Sequence, residues 1–526
     1  MFSRSKKRRI ALLEKYSQLK KEVFHFDVIK KYAEGTKDSK DSFRISTATY
    51  NDLDFDELFM FLDRSISKVG QQYLYREFQS IPNDRTPTEK REALITQLEE
   101  NPKAKEECIV ALSKLSSFEA NYLPTIFLEE QIQPPPWFWA IKLSAIISCI
   151  TFLGAFIYPV LWIALVFILI GNFIIHYWNK KNLYQYAASL SELIILVDVA
   201  KSTAKHLDNE DPSTKEAISK LETLKSLISV FKFNPAPKSE IGELVDYIIE
   251  LIKALFVIEP ILLFKILDRL ENQKDHIHQL FKHVGEIDLS INIQSIRNSL
   301  DIHSQLQLTD KLCTLHMTKG YHPLITEPVD NNLKVDGQSI LLTGSNMSGK
   351  STFIRTLGIN AIIGQTLNIC FAEAFSIPHL HVSSAIRIAD DLMNDTSYYF
   401  QEVSAIKKLL AASDQPTPHL FLLDELFKGT NTLERIASGK AVLSKLTQNG
   451  NLVFVATHDL ELSELLKEEY STYHFSEQIV ENEIVFDYKL KTGSLQKTNA
   501  IKILQVNGFP EDVIEEAKRI VHKLKN

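Results

Sequence analysis

From Trp137 to Trp178 the chain reads WFWAIKLSAIISCITFLGAFIYPVLWIALVFILIGNFIIHYW, with Lys142 its only Lys, Arg, Asp or Glu. A run this long and this free of charge either meets lipid or is enclosed by other protein. At the rise of an α-helix it would be about 60 Å long, roughly twice the ~30 Å hydrocarbon core of a bilayer, so it divides into two spans. Gly154 to Pro159 is the natural break, because Pro159 disfavours helix at the residue before it and suits a tight turn. Trp137, Trp139, Tyr177 and Trp178 then fall where amphipathic rings collect, with Lys180 and Lys181 just outside. The expectation is a transmembrane helical hairpin over 137–178 in contact with lipid. It leaves both flanking parts on one side of the cytoplasmic membrane. A helical hairpin buried in a soluble core is the alternative.

The remaining composition belongs to an ordinary folded protein. A chain of 526 residues exceeds one hydrophobic core, and 45% hydrophobic with 24% charged residues argues against wholesale disorder. Lys plus Arg number 59 against 66 Asp plus Glu, a net charge of −7, so any nucleic-acid contact is local rather than a broad basic face. Cys108, Cys149, Cys313 and Cys370 form no CxxC pair, which argues against a zinc site or a disulfide framework. The basic cluster Arg4, Lys6, Lys7, Arg8 and Arg9 is followed by a charged amphipathic stretch rather than an apolar one, unlike a cleaved signal peptide.

Periodicity divides the chain into five parts. Residues 1–50 form a basic N-terminal helical segment, 51–136 the first part of a helical core, and 137–178 the hairpin. Residues 179–309 form the second part of the helical core. Helices are expected over 183–207, 213–232 and 239–299, and loops at Gly35 to Ser42 and Ile81 to Pro87. Ile248, Leu251, Ile252, Leu255, Phe256, Ile261, Leu262, Leu263 and Leu267 make one stretch very apolar and read as core. From 310 to 526 short apolar strands alternate with helices, notably at Ser339 to Thr343, Leu420 to Leu423 and Leu452 to Ala456. That alternation predicts a parallel α/β sheet with its chemistry at the strand C-termini.

The first of these strands leads into Gly344-Ser345-Asn346-Met347-Ser348-Gly349-Lys350-Ser351, which satisfies GxxxxGK[ST], and a helix is expected from Thr352. Glycines let the backbone wrap phosphates, exposed amides and a helix N-terminus favour negative charge, Lys350 reaches the β- and γ-phosphates, and Ser351 ligates magnesium. The second strand ends in Asp424-Glu425: the aspartate can hold the magnesium shell, and the glutamate is placed to orient or deprotonate an attacking water. The third ends in Thr457-His458-Asp459, putting His458 where it could read the γ-phosphate.

These residues resemble the MutS family of DNA mismatch repair ATPases. TGSNMSGKST at Thr343 to Thr352 is similar to that family's TGPNMGGKST, and Gly320-Tyr321-His322-Pro323 to its RHP turn. Asp390-Asp391-Leu392 with Ser397-Tyr398-Tyr399-Phe400-Gln401-Glu402 resembles DDL…STFMxE. LLDELFKGTNTLE from Leu422 to Glu434 resembles LLDEIGRGTST, Val455 to His458 resembles FATH, and Asn507-Gly508-Phe509-Pro510 the AGLP turn. The similarity covers about 310–526, and DRSISKVGQQYLYREFQSIPND more weakly resembles the start of the family's lever domain.

The resemblance implies a P-loop ATPase domain of the MutS, ABC-like type following the all-α lever region. It implies that ATP and Mg2+ sit between two subunits, with Ser397 acting in trans and the residues from about Thr498 pairing the subunits. Lys350 and the Gly344 to Thr352 loop bind phosphate, Ser351 and Asp424 hold magnesium, Glu425 acts on water, and His458 reads nucleotide state. About 50 residues precede the lever, too few for the family's mismatch-reading and connector domains. Lys428 stands for the Arg of GRGT, Tyr321 for that of RHP, and Tyr398 for the Thr of STF. The expectation is therefore a membrane-tethered ATPase, a homodimer acting on DNA. The alternatives are the nucleotide engine of a membrane or envelope complex without a DNA role, and a switch that hydrolyses little.

Overall fold

The computed structural model describes residue 16 and residues 18–36, 41–207, 211–228, 240–345, 347–387, 398–480, 483–494, 500–506 and 508–525. The chain forms two compact units. One comprises Met1–Lys37, Asp63–Arg76 and Glu89–Ser295, the other Asp38–Leu62, Glu77–Thr88 and Ile296–Asn526.

The first unit is helical, and its polar interior explains the DRSISKVG segment. Ser67 caps the Lys68–Glu77 helix, its Oγ accepting from Gly70 N at 2.9 Å. Asp288, on the Lys274–Ser299 helix, accepts from Ile66 N at 2.9 Å, Ser67 N at 2.8 Å and Ser67 Oγ at 2.5 Å. Its burial pushes the carboxyl up to about 6 in spite of these donors. A Cβ on Gly70 would lie 2.1 Å from Asp288 Oδ2, so only glycine admits this carboxylate.

The apolar run forms the Phe138–Ala155 and Leu161–Ala204 helices, turning over residues 156–160. The Trp137 and Trp178 rings meet 4.8 Å apart at the open end of the pair. Both apolar stretches are long and apolar enough to cross a membrane, and only 17% of either is buried, so their side chains are not those of an enclosed core. The second helix continues unbroken for 44 residues, so the separate helix expected over 183–207 is its extension. Polarity rises after Trp178, but Asn179, Lys180 and Lys181 carry no backbone restriction that would end a helix.

The expected helix over 239–299 is three helices, Glu240–Leu255, Ile258–Glu271 and Lys274–Ser299, with Val257 left-handed at φ 49° between the first two. The apolar stretch read as core is divided: Leu263 and Leu267 are buried, whereas Ile248, Leu251 and Ile252 are 50%, 45% and 47% exposed. The Glu240–Leu255 helix instead turns Lys253 and Ala254 inward, with Glu250 half-exposed beside His176.

In the second unit, β1 (Ser42–Arg44) pairs antiparallel with β2 (Ser80–Pro82), strands at the edges of the stretches expected as loops. Strands β3 (Leu306–Leu308), β4 (Thr314–Gly320), β5 (Asn331–Asp336) and β7 (Ala374–Ile377) form a sheet in the order β3-β7-β4-β5. The main sheet joins β6 (Ser339–Thr343), β8 (His381–Ala385), β9 (His419–Asp424), β10 (Leu452–Ala456), β11 (Tyr470–His474) and β14 (Lys491–Thr492) in the order β14-β11-β6-β10-β9-β8. All its pairings are parallel except β11 with β14. Its central strands are buried on both faces, which explains their unbroken apolar runs. A hairpin of β12 (Glu477–Val480) and β13 (Glu483–Phe486) follows β11. Residues 51–62, expected to open the helical region, group with this unit: Asp52 accepts from Ser384 Oγ, Ile386 N and Arg387 N at 2.6, 2.9 and 2.8 Å.

Candidate functional site

Register brings the three strand ends together. Ala456 pairs with Leu342 on one side and Asp424 on the other, so β6, β10 and β9 end level and release their loops at one sheet edge. Backbone bonds extend the alignment past the strands, Thr457 N donating to Leu342 O at 3.0 Å and Glu425 N to Ala456 O at 2.9 Å.

After β6 the loop turns at Gly344 (φ 145°) and Gly349 (φ 105°). A Cβ on Gly344 would lie 2.7 Å from the Phe475 carbonyl oxygen, so this position excludes every other residue. The following helix, Lys350–Leu367, starts two residues earlier than expected, which places Lys350 and Ser351 in its first turn. Its N-terminal amides and dipole favour an anion. Lys350 Nζ donates to Gly344 O at 2.7 Å and Ser345 O at 2.8 Å, folding the lysine back over its own loop. Burial lowers its pKa, opposed by Asp424, Glu425 and Glu477. Ser351 Oγ donates to Asp424 Oδ2 at 2.5 Å, and burial raises the aspartate's pKa.

Glu425 has the opposite environment. Its carboxylate contacts His458 Nε2 and Lys428 Nζ, each at 2.8 Å. The His458 hydrogen bond, then Lys428, hold it down at about 2 against desolvation. Glu425 and Phe427 adopt left-handed backbone at φ 50° and 58°. Glu402, fully buried, supports this turn by accepting from Phe427 N at 2.5 Å and Lys428 N at 3.4 Å. Beyond the turn Asn431 caps the Thr432–Leu446 helix, accepting from Glu434 N at 3.0 Å.

A cavity of about 480 Å3 opens over the loop. Ser345, Met347, Gly349, Lys350, Ser351 and Thr352 line it on the phosphate-loop side, and Glu425 reaches it from β9. His322, Phe475 and Tyr488 are among the residues lining its other walls. Burial lowers the His322 pKa to about 4, keeping the ring neutral.

Lys350, Ser351, Asp424, Glu425 and His458 are thus assembled as their spacing predicts. Gly344 and Ser348 shape the loop, Ser348 Oγ donating to Ser345 O at 2.8 Å. The expectations for Asn346 and Ser397 lie outside the described residues. His458, expected to read the γ-phosphate, here contacts Glu425 at 2.8 Å. Two acidic residues had no assigned role. Glu402 lay within the SYYFQE motif, where a signal was present, whereas Glu477, which accepts from Ser345 Oγ at 2.8 Å, carried none.

Residues 340–525 match the family model described as MutS domain V. Over 282 residues the chain is 27% identical to the DNA mismatch repair protein MutS of Listeria welshimeri, covering 51% of this chain and 32% of that protein. The MutS of Thermus thermophilus is 28% identical over 211 residues, 39% of this chain and 26% of its own length. That of Aquifex pyrophilus is 30% identical over 221 residues, 40% of this chain and 26% of its own. The chain spans about a third of the length of the first three curated relatives it matches. The match opens inside the strand that enters the phosphate loop and continues through every strand whose end meets it, so this chain is MutS-like, with its C-terminal region similar to MutS domain V.

Proposed function

We propose that the protein is a membrane-tethered ATPase of MutS type, which binds ATP with Mg2+ as a homodimer and acts on DNA. The observation carrying this reading is the level ending of β6, β9 and β10, which gathers Lys350, Ser351, Asp424, Glu425 and His458 at one sheet edge. The Ser351 hydroxyl and Asp424 carboxylate fit a magnesium ion, a hard cation that takes oxygen ligands. They are already in contact, and the carboxylate is partly buried with, among the described residues, no cationic side chain hydrogen-bonded to it. Bound there, the ion would neutralise charge on the phosphates.

The protein's own groups do the rest. Lys350 exchanges its two loop carbonyls for phosphate oxygens, and the first-turn amides of its helix bind the same charge. Glu425, held near 2 by His458 and Lys428, is a poor proton acceptor, since general-base strength follows pKa. In this arrangement it orients water. It becomes a stronger base only when His458 or Lys428 moves to the nucleotide. Ser397 acts across the dimer, and the segment from about Thr498 pairs the subunits.

Residues 137–178 hold the protein in the cytoplasmic membrane with the ATP site in the cytoplasm, a reading supported by two exposed apolar helices. The DNA role draws on the relatives' name as DNA mismatch repair proteins. A second reading, a nucleotide engine for a membrane complex, is favoured by the helix that runs from Leu161 to Ala204 without a break, able to carry displacement to the membrane. ATPase rates of the vesicle-reconstituted protein with perfect, mismatched and branched DNA decide between the two. Stimulation by DNA supports the first, and nucleotide turnover indifferent to DNA at low salt supports the second. Absence of turnover with every DNA would overturn both.

A further inference from the structure

The helices Glu240–Leu255 and Ile258–Glu271 lie along the apolar pair in a definite order. Glu250 Oε2 is 3.6 Å from both His176 Nε2 and Lys180 Nζ, near the end of the second apolar stretch. Five residues later the Leu255 carbonyl accepts from Asn172 Nδ2 at 2.6 Å, and the Phe256 ring stands 5.7 Å from Phe152. After the left-handed turn at Val257 the chain comes back, with Phe264 5.0 Å from Phe138, where the first apolar helix begins. Contacts that proceed inward and then outward describe a hairpin laid against a hairpin. Asn172 lies 11 residues past Leu161, about 17 Å along the helix from the 156–160 turn, so the Leu255–Val257 tip is near the middle of a ~30 Å apolar layer.

The side chains are arranged with polar groups inside and apolar groups outside. Asn172, Ser148, His176 and Glu259 are buried, and Asn172 also bonds Ser144 Oγ at 2.5 Å and Ser148 Oγ at 2.9 Å. On the outer face Tyr247, Ile248, Leu251 and Ile252 are 72%, 50%, 45% and 47% exposed, continuous in character with the exposed sides of the apolar pair. Water would favour the reverse, and lipid favours this. His176, Glu250 and Glu259 offer donor types for a cation, but Lys253 lies 3.2 Å from Glu250 and 3.3 Å from Glu259, and Lys180 also faces Glu250. Two ammonium groups already balance two carboxylates, Lys253 and Glu259 inside and Lys180 and Glu250 partly exposed toward the open end, so the cluster is a neutral polar seam of the kind that intramembrane charges require.

We infer that residues 247–264 form a re-entrant helical hairpin that enters the lipid beside the two spans, from the side where their outer ends lie, and turns at mid-depth. The membrane-embedded body is then four helices around a charge-balanced interior. This rests on the membrane reading of residues 137–178.

The test uses the full chain in phosphatidylcholine–phosphatidylglycerol vesicles, with Cys108→Ala, Cys149→Ser, Cys313→Ser and Cys370→Ala. Single cysteines carrying a bimane label are placed at Leu251, Ile252, Phe167 and Lys103. Mid-chain nitroxide lipids should quench the label at Leu251→Cys and Ile252→Cys as strongly as at Phe167→Cys, and spare Lys103→Cys. Quenching at 167 without quenching at 251 and 252 would overturn the re-entrant hairpin while leaving the anchor. No quenching at 167 would remove the membrane reading and the inference with it. As an independent measure, a charged, impermeant maleimide should react about tenfold more slowly at 251 and 252 than at 103, because apolar surroundings suppress the thiolate. Equal rates would also overturn it.

Discussion

The phosphate loop and the apolar helix pair solve opposite problems with the same backbone chemistry. At the loop, polar groups are taken from water and held by close, directional partners: Lys350 on two carbonyls, Ser351 on Asp424, Glu425 between His458 and Lys428. In the helix pair the backbone satisfies itself and, beyond the Ser144, Ser148 and Asn172 bonds, the outward side chains need only be apolar. A site of the first kind fails when one atom changes. One of the second kind tolerates exchange of one apolar residue for another and fails when a charge enters. Single substitutions should therefore behave differently in the two regions, and the predictions below are arranged to expose that difference.

The largest effect belongs to Glu425→Gln. It keeps the shape of the cavity and removes the negative charge beside the attacking water, so turnover should fall by about two to three orders of magnitude with nucleotide binding retained. Single-turnover hydrolysis and equilibrium binding of a labelled nucleotide check both halves, and parental turnover would remove Glu425 from the mechanism.

Lys350→Ala should weaken ATP binding about 100-fold, the loss of a charge-assisted contact worth about 3 kcal/mol. Gly344→Ala should match it through shape alone, because the added Cβ meets the Phe475 carbonyl at 2.7 Å and the φ of 145° resists a side chain. If Gly344→Ala bound nucleotide normally, the loop would not be the rigid cradle described.

In the apolar pair, Ile163→Val or Ile170→Leu should leave membrane retention unchanged after high-salt and alkaline washing. Ile170→Lys, at a position 57% exposed, should cost about 3 kcal/mol of insertion and release part of the protein. Equal retention of the lysine variant would argue that this face does not meet lipid.

The smallest effect concerns pH. Glu425 is held at about 2 against an ordinary 4.5, so its ionised form is favoured in the folded state. A depressed carboxylate contributes stability above its unfolded pKa and loses it as pH falls through the folded one, here between about 4.5 and 2. Solvent screening at this partly exposed site limits the contribution to no more than about 3 kcal/mol. Urea unfolding of the parent and Glu425→Gln should therefore show a gap at pH 7 that narrows as pH drops below about 4.5. A gap that widened would reverse the assignment of Glu425 as the clamped charge.

Much of this was legible in order of residues. Strand, GxxxxGK[ST] loop and helix are contiguous, so their geometry follows from local rules, and the apolar runs of β9 and β10 announce strands buried on both faces. The helix pair was legible for the same reason, since length and lack of charge are local properties. The continuity of the Leu161–Ala204 helix was hidden because composition changes at Trp178 while the backbone does not. Strand β1 was hidden because a three-residue strand exists only through its pairing with β2, some 38 positions on.

By itself the sequence determined which residues could bind phosphate, which strand ends carry carboxylates and which stretch is long and apolar enough to cross a membrane. Only the tertiary structure decided that Glu425 is clamped rather than free to act as a base, that Asp288 closes over Gly70, that Glu477 reaches the phosphate loop, and that Ile248, Leu251 and Ile252 face outward. The physical reason is range. Propensity, periodicity and motif act over a few residues, whereas a carboxylate's pKa and the side an apolar helix presents depend on groups that distant parts of the chain bring within a few ångströms.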